Sequence, residues 1–193
     1  MKKNTLFLTM ALLSLATPAS AHTLFSSAHS GFMAGFAHPW HGADHVLMMF
    51  AVGLWAYILG GRALWVLPLS FLGVMAAGAG LGYADFHLPY AEIWVSASVL
   101  ILGLIISFNW RTSVVSAATC VMVFALSHGY LHFAEIPPAA AQGEYMVGFL
   151  LSTALLHGLG IAAGLLNAKT EGLLRMNFGY ICTAAGLLLL AGY

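Results

Sequence analysis

Charge is so scarce in this chain that most of it has to be solvated by lipid. Six basic and six acidic side chains are spread over 193 residues, and 61% of the sequence is hydrophobic. Soluble domains carry roughly 25% charged residues, against 6% here, and the mean hydropathy is +0.92. In a bilayer every backbone N–H and C=O must be satisfied within the segment or a closed barrel. The long apolar runs therefore predict helices. A hydrocarbon core takes about 20 apolar residues per crossing. Runs bounded by charge, Gly or Pro give six spans near 40–60, 63–84, 90–109, 112–133, 144–167 and 172–192. The expected fold is an all-α polytopic membrane bundle in the lipid bilayer.

The first 21 residues read as a leader. Lys2 and Lys3 precede the apolar "TLFLTMALLSLA", and "ASA" at Ala19–Ala21 offers a small-residue cleavage site. The mature chain would begin at His22 as a single transmembrane domain over 22–193, its new amine and imidazole able to chelate a metal together. Residues 23–37, "TLFSSAHSGFMAGFA", are too short to span and suggest an interfacial or re-entrant helix before the first span. Pro39 suits the first turn of that span, and Pro68 should kink the second. "GFMAG" and "GIAAG" suit close helix packing. Such small-residue faces serve equally within one bundle or between copies, which leaves a homo-oligomer open.

Loop charges give an orientation. With the N-terminus outside, the loops after the first, third and fifth spans hold Arg62, Arg111, and Lys169 with Arg175, and the outer loops hold no Lys or Arg. That is the positive-inside pattern, and it predicts a multi-pass protein of the bacterial inner membrane with a periplasmic mature N-terminus. The nine histidines divide the other way. His22, His29, His38, His41, His45, His87, His128 and His132 fall outside or at outer span ends, and His157 alone lies deep.

Two clusters carry the chemistry. In "HPWHGADH", His38, His41 and His45 are spaced i, i+3, i+7, one helical face, with Asp44 beside them. Asp44 also lies near the positive end of a helix starting at Pro39. In "SHGYLHFAE", His128, His132 and Glu135 are spaced i, i+4, i+7. Imidazole plus carboxylate suits Ni²⁺, Co²⁺, Zn²⁺ or Cu²⁺ rather than Mg²⁺ or Ca²⁺. His157, an ionisable group near mid-bilayer, is a functional candidate by location and reads as a relay. Met48 and Met49 follow His45 by about one turn, and thioether ligation would favour copper. Glu92 and Glu144 read as helix-start carboxylates, Asp85 and His87 as a solvated loop, and Cys120 and Cys182 as core residues. No basic run offers a nucleic-acid surface, and no Gly-rich loop is present to hold ATP.

At these clusters the chain resembles the HupE/UreJ family of nickel or nickel/cobalt permeases. The family's H-x5-D-H signature is met by His38, Asp44 and His45. Its F-H-G-x-[AV]-H-G-x-E signature keeps His128, Gly129, His132 and Glu135, with Ser127, Leu131 and Phe133 as departures. "GFAHP", "GGRALWVLP" and "LLHGLG" extend the likeness along the mature chain. The resemblance implies a non-enzymatic permease moving Ni²⁺ or Co²⁺ inward, with no tightly bound cofactor. Phe133, replacing a glycine, is expected to narrow the space beside His132. Read from the residues alone, copper or zinc transport, metal sensing and a membrane di-iron enzyme with H-x-x-x-H motifs are the alternatives.

Overall fold

The computed structural model describes residues 31–134, 136, 141–167 and 172–192. The leader, His22, His29, Glu135 and Lys169 lie outside the described residues, and with them the expectations placed there. The described elements are all helical: α1 (Gly31–Ala37), a 3-10 turn (His38–Trp40), α2 (Ala43–Leu59), α3 (Ala63–Tyr83), α4 (Ala91–Ser107), α5 (Val114–Ala134), α6 (Gln142–Asn167) and α7 (Leu173–Leu190).

Helices α3, α5, α6 and α7 are each long and apolar enough to cross a membrane, and α1, the 3-10 turn and α2 pass together as a pair bent by 81°. The expected third span is shorter than its apolar run. It begins after Tyr90 (φ 58°) and ends at Ser107, just before Asn109 (φ 51°). Left-handed backbone at non-glycine residues does not continue a right-handed helix. The 17 residues of α4 reach about 25 Å at ~1.5 Å per residue, the lower end of what a span needs.

The first cluster departs from a single helical face. Pro39 sits in its own 3-10 turn, and Gly42 takes an extended conformation (φ −103°, ψ 121°) immediately before α2. The chain therefore turns between His41 and Ala43, and the turn that carries His38 belongs to the other arm of the bend. The segment expected as a re-entrant or interfacial helix is helical over its described part, Gly31–Ala37. Pro68 lies within α3, which runs through it unbroken.

Helices pair through glycines that meet the partner's backbone. A Cβ on Gly78 would strike the Leu126 carbonyl, and one on Gly129 the Met75 carbonyl, locking α3 to α5 from both sides. Gly53 abuts the His157 carbonyl and Gly160 the Phe50 carbonyl between α2 and α6. Gly35 abuts Tyr145 and Gly148 abuts Phe32 between α1 and α6. The "GFMAG" and "GIAAG" patterns thus do close-pack. Such approach lets dispersion act in lipid, where no hydrophobic force drives helices together. The fourth pair, α4 with α7, packs Gly103, Gly179 and Gly186 likewise, and Arg175 donates to the Ile106 and Ser107 carbonyls at 2.5 and 2.8 Å. Met48 and Met49, on α2, lie in the apolar core.

Candidate metal centre

The site forms at one end of the bundle, where the 3-10 turn, the start of α2 and the end of α5 meet. Arg62 and Arg175 lie at the opposite helix ends. His38, His45 and His132 each offer a ring nitrogen, and these atoms lie within 4.8 Å of one another. His38 Nε2 is 3.1 Å from His132 Nδ1, and His45 Nε2 meets His132 Nε2. Transition metal–imidazole bonds of ~2.1 Å place neighbouring ligand nitrogens about 3 Å apart, so the spacing is of the right order for a shared ion.

Local sequence explains how His45 is aimed. Asp44 falls in the first turn of α2, and its Oδ1 accepts the Nδ1–H of His45 at 2.6 Å. That bond leaves the Nε2 lone pair of His45 facing the cluster, the carboxylate–histidine arrangement common behind bound metals. Gly42 makes room for it, because a Cβ there would sit 2.6 Å from His45 Nδ1 and 2.7 Å from Asp44 Oδ1. His132 is flanked on both nitrogens. A neutral imidazole has one N–H and one lone pair, so it can donate to one neighbour and accept from the other, or turn a lone pair to a cation.

The bend is held from α6. Trp40 donates its indole N–H to Ser152 Oγ at 2.7 Å, tying the 3-10 turn to α6. His38 packs against Tyr145 and Phe149, and Phe149 also lies under His132 with centroids 4.5 Å apart. His41, on the turn itself, is exposed and outside the group of three. Phe133 points elsewhere than expected. Its ring covers Gly82 and meets Tyr83 edge-on at 5.7 Å, so its bulk goes to α3 rather than into the ligand space.

Below the three imidazoles lies His128, fully buried, 5.4 Å from the His45 ring and 6.2 Å from that of His132. Its Nε2 is 3.1 Å from Ser98 Oγ, and its Nδ1 has no hydrogen-bond partner among the described residues. Phe71 separates His128 from His157, with centroids 5.8 Å from the first and 5.3 Å from the second. His157 is buried with both nitrogens unpartnered among the described residues, as is Thr153 Oγ1 one turn away on α6. Such orphaned polar atoms are uncommon in native interiors.

Sequence reasoning did not find Gly42, Ser98, Phe71 or the Trp40–Ser152 bond. Only Gly42, inside the motif, carried any signal. Glu92 and Glu144 are exposed in the first turns of α4 and α6, and Asp85 and His87 lie exposed in a loop, as expected. Cys120 and Cys182 are free thiols, half-buried and buried.

A family model described as HupE / UreJ protein matches residues 10–189. Protein HupE of Rhizobium leguminosarum bv. viciae is 39% identical over 186 residues, covering 96% of this chain and 97% of the relative. No solved structure matches the chain significantly.

Proposed function

Since the chain belongs to the HupE/UreJ family, we propose that it is an inner-membrane permease carrying a divalent transition metal, Ni²⁺ or Co²⁺, from periplasm to cytoplasm. The observation that carries this reading is the convergence of His38, His45 and His132 within 4.8 Å, with Asp44 behind His45. Three imidazoles make a donor set for Ni²⁺, Co²⁺, Cu²⁺ or Zn²⁺ and not for the hard cations. Arg62 and Arg175, at the opposite helix ends, support placing this cluster on the periplasmic side.

In this reading the outer imidazoles replace water around the incoming ion, and His41, Glu135 and a processed terminus at His22 are further donors that the sequence offers. The ion is handed to His128 and then past Phe71 to His157. The membrane potential suffices as a driving force. A divalent cation moving inward gains about 4.6 kcal/mol per 100 mV, twice the single-charge value. The metal is cargo, no resident cofactor is needed, and no catalytic role is assigned.

The test is uptake of radioactive Ni²⁺ into proteoliposomes of known orientation, with Co²⁺, Zn²⁺ and Cu²⁺ as competitors. Saturable uptake that Co²⁺ competes best is expected. Binding without uptake would replace the permease by a sensor or storage protein. Uptake should also weaken as pH falls from about 8 to 5, because protons compete for the lone pairs that bind metal. A flat profile would exclude the histidines as the limiting ligands.

A further inference from the structure

We propose that Ser98 of α4 is a positioning residue that fixes the tautomer of His128, making its Nδ1 the metal-accepting atom. The inference deepens the permease reading and rests on it for the nature of the cargo. It begins with a hydrogen count. The Ser98 hydroxyl has one hydrogen, and the Val95 carbonyl, 2.6 Å from Oγ, can only accept it. Were that hydrogen turned to His128, two oxygens would face each other at 2.6 Å with nothing between them. Ser98 therefore donates to Val95, and its contact with His128 Nε2 at 3.1 Å has to be an N–H donated by the imidazole.

The consequence lies at the other nitrogen. With the hydrogen on Nε2, a neutral His128 carries its lone pair on Nδ1, and that atom is buried without a hydrogen-bond partner among the described residues. Its ring meets that of His45 edge-to-face, and the rings of His132 and Phe71 lie close by. An imidazole pinned through one nitrogen, with the other left bare among imidazoles, is prepared to take a cation. Hydrogen bonding of the distal N–H raises the basicity of the ligand nitrogen and fixes the ring plane. Asp44 does the same for His45 with the nitrogens reversed: there Nδ1 is held and Nε2 is free. Two opposite tautomers, set by partners on different helices, would present an Nε2 and then an Nδ1 along the path.

Histidine-¹⁵N NMR of the full-length, metal-free protein in micelles decides the tautomer, with the His128 signals assigned by their loss in His128→Asn. Wild type is expected to show a protonated Nε2 and a bare Nδ1 at His128. Ser98→Ala should move both signals toward a mixture while His45 keeps its own pattern, and Ser98→Thr should restore them. Ni²⁺ uptake in Ser98→Ala is expected to fall about 10–100-fold, the usual cost of losing a metal's outer-shell partner. A wild-type His128 protonated on Nδ1 overturns the proposal, even where Ser98→Ala does not fold. An unchanged tautomer in Ser98→Ala overturns it too, and a shifted tautomer with full uptake removes Nδ1 as the accepting atom. Wild-type liposomes without uptake defeat the permease reading instead, and the NMR result still decides whether Ser98 positions His128.

Discussion

His45 and His157 are both buried imidazoles on helices that pack together, yet their surroundings are opposite. His45 has a carboxylate on one nitrogen, a second imidazole on the other and a third within reach. His157 has a phenyl ring beside it and no hydrogen-bond partner for either nitrogen among the described residues. The first environment supplies several donors and a negative charge, which suits holding a cation. The second supplies one donor, which suits passing it on. A conducting path needs both, since binding must be strong enough for entry and weak enough for exit.

Replacing His45 tests the holding half and should have the largest effect. His45→Ala is expected to weaken Ni²⁺ binding in equilibrium dialysis beyond the ~10–100-fold typical of an outer-shell change, and to abolish uptake. His157→Ala is expected to slow uptake by an order of magnitude or more while leaving affinity near wild type. An equal loss of affinity would place His157 in the holding site and dissolve the contrast. Asp44→Asn keeps the shape of the carboxylate but not its charge, and should cost about 10–100-fold in affinity. Full affinity would show that His45 is oriented by packing alone. The mildest change is Gly42→Ala, whose new Cβ crowds the Asp44–His45 pair. It is expected to cost about fivefold in affinity, ~1 kcal/mol, at the low end of overpacking penalties, and to leave His157-dependent transfer intact.

Much of the framework was legible because lipid imposes one rule on every span. Helix ends fall close to the predicted limits wherever Gly, Pro or charge interrupts an apolar run, as at Gly60–Arg62 between α2 and α3. The "GFMAG" and "GIAAG" patterns announced the close packing of α1 and α2 on α6, while the isolated glycines that join α3 to α5 and α4 to α7 gave no such pattern. Of the candidate site, part of the membership was legible and the geometry was not: the named His38, His45 and His132 converge, whereas His41 stays outside the group. His38, Asp44, His45 and His132 could be named because ionisable side chains are costly in this setting. The bend could not, since helical spacing alone assigned "HPWHGADH" to one continuous face. Gly42, extended behind the Asp44–His45 pair, breaks that face and turns His38 onto another arm. Ser98 was invisible for a different reason. A serine within "WVSASVL" is unremarkable until His128, 30 residues away, is seen against it.

The imidazoles that converge on His132 come from far earlier in the chain, 94 residues back for His38 and 87 for His45. A nascent chain therefore carries only a fraction of the donor set until α5 has been threaded into the bilayer. The Trp40–Ser152 tie between the 3-10 turn and α6, spanning 112 residues, waits for α6 as well. In the permease reading, a half-made copy therefore has no complete set of imidazoles for the ion until α5 is in place, and its 3-10 turn is tied down only once α6 has followed.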